Sequence, residues 1–123
     1  MSFDRGAVGR IGEEAACRLL ESAGYAIVER NWRCKLGELD IVARQGDVLV
    51  IVEVRTRRTA TLGRYGMAEE SVGFRKKMKL RSLAQAYVKT LKQPAQRLRF
   101  DVIAIYIGDD GKMERYKHYE YAF

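Results

Sequence analysis

Hydrophobic positions recur along this chain with two periods, and the switches between them divide it into elements. Val8, Ile11, Ala15, Leu19 and Ala23, widened by Ala16 and Leu20, keep the three-and-four spacing of one helix face. They predict a helix over 8–23 that Gly24 ends. From Tyr25 to Trp32 the spacing becomes that of a strand, with Tyr25, Ile27 and Glu29 on one face and Ala26 and Val28 on the other. Arg33 to Leu36 reads as a loop, and Trp32 as a packing residue.

In the stretch from Gly37 to Arg57, GELDIVARQGDVLVIVEVRTR, apolar residues (Leu39, Ile41, Val42, Val48 to Val52, Val54) fill nearly all the strand positions that Asp40, Glu53 and Arg55 leave. Such a run is the mark of strands buried on both faces at a sheet centre. A Gln45-Gly46 turn folds it into a hairpin in which Arg44 pairs with Asp47, Asp40 lies opposite Ile51, and Glu38 lies opposite Glu53. Glu38, Asp40, Ile51, Glu53 and Arg55 then share a face, with Asp40 and Glu53 as diagonal neighbours roughly 7 to 8 Å apart. Arg58 to Gly66 has small, basic and glycine residues without periodicity and reads as a loop beside this face.

A second helix is expected over 71–91, with Ser71 as N-cap and Pro94 just beyond its end. Its apolar stripe is Leu80, Leu83, Ala84, Tyr87, Val88 and Leu91, and one turn further back the stripe reaches Lys76. Lys76 is therefore expected to face the sheet, with its ammonium at the rim near the carboxylates. Leu98 to Ile107 is another strand, and an Asp109-Asp110-Gly111 turn leads into a last strand over 112–121. The order predicts an α/β fold: a central mixed β-sheet of about five strands flanked by two main helices, as one domain over 1–123.

Charge changes the picture. The net charge is +7, but residues 55–99 carry thirteen Lys or Arg against Glu69 and Glu70, so the remainder is acidic. A basic segment beside an acidic cluster suits a protein that draws a polyanion to a metal site. The plainer reading of Arg75, Lys77, Lys79 and Arg81 is a solvated helix face. No apolar run approaches the ~18 residues of a membrane span and no signal segment is evident, so the expected location is the cytoplasm. Cys17 and Cys34 lack metal-ligand spacing and read as reduced thiols. Asp101 is expected to pair with Arg99 or Arg33, and His118 to lie at the surface.

Carboxylates on a buried strand need a partner. Asp40 and Glu53 can close on one hard divalent cation; alternatively, Glu53 pairs with Arg55 or another basic neighbour as a structural ion pair. On the first helix, Glu13 falls about 20° from Leu20 on the margin of the apolar stripe and can reach the sheet, whereas Glu14 points outward.

An acid on the first helix, an Asp one strand before a Glu-x-basic triplet, and a basic helix after it resemble the PD-(D/E)XK nuclease core, a restriction-endonuclease-like fold. More closely, Gly12-Glu13, Gly24-Tyr25, Arg30-Asn31-Trp32-Arg33, Gly37-Glu38-Leu39-Asp40, Val52-Glu53-Val54-Arg55 and Arg99-Phe100-Asp101-Val102 resemble the bacterial YraN family, from about residue 6 to 107. That family is similar in fold to archaeal Holliday-junction resolvases. The resemblance implies a metal-dependent endonuclease in which Glu13, Asp40, Glu53 and the Val54 carbonyl hold Mg²⁺ or Mn²⁺. Its implied partner is nucleic acid, DNA ahead of RNA and possibly branched, and a homodimer follows by analogy with resolvases. The last position of the triplet is lysine in most such nucleases, and here it is Arg55. An arginine grips phosphate but cannot act as a general base. Either Lys76 takes up the lysine's role, or no protein base is needed, or the chain binds nucleic acid without cutting it.

Overall fold

The computed structural model describes residues 5–61, 72–93 and 97–123. Five strands form one sheet in sequence order: β1 (Ala26–Cys34), β2 (Gly37–Gln45), β3 (Val48–Arg58), β4 (Arg97–Ile107) and β5 (Met113–Tyr119). Only the β3/β4 pair is parallel. The α/β class read from the sequence is the fold observed, and it is consistent with a restriction-endonuclease-like core.

Two helices cover the two faces. Helix α1 (Arg5–Ser22) packs Ala16, Cys17 and Leu20 on Ile41, Ala43, Val50, Val52 and the isoleucines of β4. It ends where expected: Gly24 takes a φ of +92°, and the N–H groups of Gly24 and Tyr25 close back on the carbonyls of Glu21 and Leu20. Helix α2 (Phe74–Thr90) lies in the β3-to-β4 crossover and buries Leu80, Leu83, Ala84 and Tyr87 against Leu39, Val42, Leu49 and Ile51. The Tyr87 ring meets Trp32 edge-on at 5.3 Å. No helix among the described residues is long and apolar enough to cross a membrane.

Several boundaries differ from the sequence reading. β1 runs through Arg33 and Cys34, which pair with Glu38 and Gly37, so the expected loop shrinks to Lys35 and Leu36. A bulge at Val28 pairs Ile27 with Ala43 but Glu29 with Val42. It carries Glu29 away from the face of Ile27, toward Tyr87. β3 extends to Arg58, and Thr59–Thr61 adds a turn of 3-10 helix. Gly73 takes the N-cap position expected of Ser71; Ser71, Pro94 and the rest of the loop expected up to Gly66 lie outside the described residues.

The central hairpin carries the correction that matters most. Its two-residue turn is Gly46-Asp47, not Gln45-Gly46: Gln45 pairs with Val48 and Val42 with Ile51. Gly46 has a φ of +60°, and glycine at the first central position is what a type II′ hairpin turn requires. Between Ile41 and Val52 the new register keeps each side chain on its expected face, because the slip is two residues and the side-chain period is two. Continued one step past Ile41↔Val52, it sets Asp40 across from Glu53 instead of Ile51.

Candidate functional site

At that step the sheet forks. The β2/β3 ladder ends at Ile41↔Val52, after which β2 stays with β1 as far as Gly37↔Cys34 and β3 stays with β4 as far as Arg58↔Ile107. On β2 the alternation slips at the same point. Ile41 and Ala43 pack with α1, but Leu39 joins Val42 in the α2 cluster. Opposite the slip, Asn31 on β1 has a φ of +52°, a conformation that short polar residues tolerate best.

Asp40 and Glu53 stand in the crotch of the fork. The Val54 N–H, which has no β2 carbonyl to bond here, donates to Asp40 Oδ2 at 2.9 Å. The Asp40 and Glu53 carboxyls lie within side-chain hydrogen-bonding reach of one another, which favours a protonated Asp40. Burial, that hydrogen bond and the Glu53 charge push the Asp40 carboxyl up to about 8, against the pull of the Val54 N–H. Glu53 is only 14% exposed, and Lys76 Nζ lies 3.3 Å from its Oε2. Lys76 thus sits at the rim of the sheet beside the carboxylates.

Glu13 reaches the neighbourhood from the other helix. Its pKa is raised by burial and by the charge of Glu38, with Glu53 adding a smaller effect. Gly12 makes the approach possible: a Cβ there would run into Thr56 of β3, so α1 lies close against the strand just before Glu13. The Asn31 side-chain amide faces the Glu13 carboxylate and, with its nitrogen turned inward, donates to both oxygens at 3.1 and 3.2 Å. Among the described residues, no three His, Cys, Asp or Glu side chains converge closely enough to hold a metal ion by themselves. The donor set that does stand together is the Asp40–Glu53 pair. Two carboxylate oxygen donors fit Mg²⁺ or Mn²⁺, because Mg²⁺ commonly takes one or two carboxylates and keeps several waters.

Beyond the pair, a cavity of ≈ 380 Å³ opens along β3, lined by Glu53, Arg55, Arg57, Gly73 and Lys76 among others. Arg55 and Lys76 are legible in the sequence; nothing in the spacing of Arg57 sets it apart from the basic run around it.

A model of the uncharacterised protein family UPF0102 matches residues 12–105. The chain belongs to that family. The YraN resemblance read from its motifs is to the same group. A UPF0102 protein of Pelotomaculum thermopropionicum is 49% identical over 123 residues, covering 100% of each chain. Those of Desulforamulus reducens and Moorella thermoacetica are 46% and 47% identical, over 96% and 87% of each chain. The UPF0102 match begins at Gly12 and contains the fork, the carboxylate pair and Lys76.

A second polar cluster, on the α1 side of β4, bears out the pairing of Asp101 with Arg99 and corrects the placing of His118. Asp101 is 1% exposed and takes a bidentate grip from Arg99, at 2.9 Å from Nε and 2.7 Å from Nη2. Arg99 also donates to Gln45 and to the Tyr25 hydroxyl. His118, expected at the surface, is half-buried with Nε2 2.7 Å from Asp101 Oδ2. Burial opposes the Asp101 charge, but hydrogen bonds from His118 and Arg99 outweigh it and hold the carboxyl below its usual range. The Tyr121 N–H completes the set. Every strong donor here is matched, so the cluster fastens β5 to the sheet.

Proposed function

We propose that this chain is a metal-dependent phosphodiesterase acting on nucleic acid, an endonuclease with DNA as the first candidate substrate. The observation that carries the reading is the Asp40–Glu53 pair: two carboxyls turned onto one another at a fork in the sheet, one of them pushed up to about 8, beside a cavity with basic walls. A structural ion pair would place a cation between them, whereas Lys76 meets Glu53 from the rim, 3.3 Å from its Oε2.

Asp40 and Glu53 are the residues that would hold Mg²⁺ or Mn²⁺, with Glu13 close enough to feel their charge. When bound, the cation supplies Lewis acidity toward the phosphate and toward a water. The chain supplies the rest. Arg55 grips a phosphate oxygen and stays charged throughout, and Lys76 adds positive charge where negative charge builds on phosphorus. The Val54 N–H fixes the Asp40 carboxyl at the mouth of the fork.

The test is cleavage of end-labelled linear duplex, single strand, flap and four-way junction DNA with Mg²⁺ or Mn²⁺, comparing wild type with Glu53→Ala. Cleavage lost in the variant supports the reading, and the preferred substrate tests the branched-DNA analogy. The Lys76–Glu53 contact favours one other reading, a binding module whose carboxylates are neutralised by lysine. Intact substrates bound equally by both proteins would decide for it.

A further inference from the structure

The cavity wall has more positive charge than the carboxylate pair alone calls for. Arg55 and Arg57 follow Glu53 along β3 at two-residue intervals, about 6.6 Å each at the rise of a strand. Arg57 Nη1 donates to the Thr56 carbonyl at 2.9 Å, but its Nε is buried without a hydrogen-bond partner among the described residues. The same cavity receives the start of α2, whose N-cap is Gly73 with no side-chain cap and whose first turn carries no acid. Arg75, Lys76 and Lys77 stand there instead, at the end of the helix where the dipole disfavours positive charge. An anion in the cavity offsets both the guanidiniums of its wall and the positive charge at the start of α2.

We infer that this cavity is a second phosphate subsite, which holds the backbone phosphate next to the one at the Asp40–Glu53 pair. Arg57 grips it from β3, one strand step beyond Arg55 on the first phosphate, and the first N–H groups of α2 meet it from above. The inference rests on the nuclease reading and narrows its substrate: a strand that runs on past the cut, with a charged phosphate at the neighbouring linkage. Short products without that phosphate bind poorly and leave.

Two arms test it. In the first, a fluorescent oligonucleotide is bound in EDTA across a salt series, so no cleavage is needed. Arg57→Gln is expected to weaken binding roughly tenfold and to lower the salt slope by about one. Gly73→Asp, at a residue with φ −68° and open space around its Cβ among the described residues, is expected to raise the melting temperature by capping α2 while weakening binding. Opposite signs of that kind cannot come from misfolding. Inorganic phosphate that restores equal binding of wild type and Arg57→Gln only by competing both away at millimolar levels keeps the assignment with the nucleic-acid backbone. Competition at micromolar levels would make free phosphate the ligand and overturn it.

In the second arm, single methylphosphonate linkages flank the cut site. A neutral linkage next to the cut should slow wild-type cleavage at least tenfold and leave Arg57→Gln no slower than it already is. Unchanged binding and salt slope in both variants, with cleavage intact, would sink the subsite and spare the nuclease reading. A lowered slope in a chain that cuts nothing would do the reverse.

Discussion

Replacing Asp40 with Asn should make the metal-free protein more stable at pH 8 while leaving it nearly unchanged at pH 5. The Asp40 carboxyl titrates near 8 in the fold against an ordinary 3.8, so between those limits the native pair holds a proton that the unfolded chain has released. Stability must then fall as pH rises through that window. At ~1.36 kcal/mol per pH unit, the three units from pH 5 to pH 8 amount to about 4 kcal/mol. Asp40 is half-buried, and solvent screening brings the expected figure to about 2 kcal/mol, or about 8 °C in melting temperature for a chain of this size. An Asn side chain can donate to Glu53 and accept from the Val54 N–H without a titrating proton, so the slope should vanish with Asp40. Thermal melts of both proteins in EDTA at pH 5, 6, 7 and 8 measure it. Parallel curves for the two proteins, or a wild type that gains stability toward pH 8 relative to Asp40→Asn, would refute the proton held by the pair.

Asp101→Ala should cost about 3 to 5 kcal/mol by urea unfolding, since it strands the buried Arg99 guanidinium and frees His118 and the tail at Tyr121. Its effect should be on stability, with nucleic-acid affinity of the folded fraction unchanged. Gly12→Ala should cost about 1 to 3 kcal/mol, because the added methyl meets Thr56 and pushes α1 off β3. If Glu13 belongs to the site, that variant should also lose activity beyond what its folded fraction accounts for, measured by titrating residual cleavage at a temperature where it remains folded.

The sequence carried the element order and the inward side of both helices, because a two-residue and a three-and-four-residue period can be counted without a structure. It placed Lys76 at the sheet edge by extending one stripe backward, and the ammonium lies 3.3 Å from Glu53. The carboxylate pair was legible as two acids on one face but not as a hydrogen-bonded couple. The difference lies in which two residues turn the hairpin. Gln45-Gly46 and Gly46-Asp47 are both plausible, and only the second puts Asp40 opposite Glu53. The fork is not legible in the sequence, because it is set by which neighbour each strand keeps, a long-range choice that no local period records. The same holds for His118. Its partner is seventeen residues away, across a hairpin whose register shifts between Tyr106 and Ile107. Asn31 stood inside the Arg30-Asn31-Trp32-Arg33 motif, but its amide facing Glu13 depends on the slip at the fork.

The central claim is that the Asp40–Glu53 pair is a cation site. Mn²⁺ titration followed by electron paramagnetic resonance measures it without any substrate, at pH 7.5 with wild type, Asp40→Asn and Glu53→Gln. The account predicts one saturable site per chain in wild type, weakened at least tenfold in each variant, with release of a proton as the metal enters. No saturable Mn²⁺ binding in wild type, or equal binding in all three proteins, would contradict it.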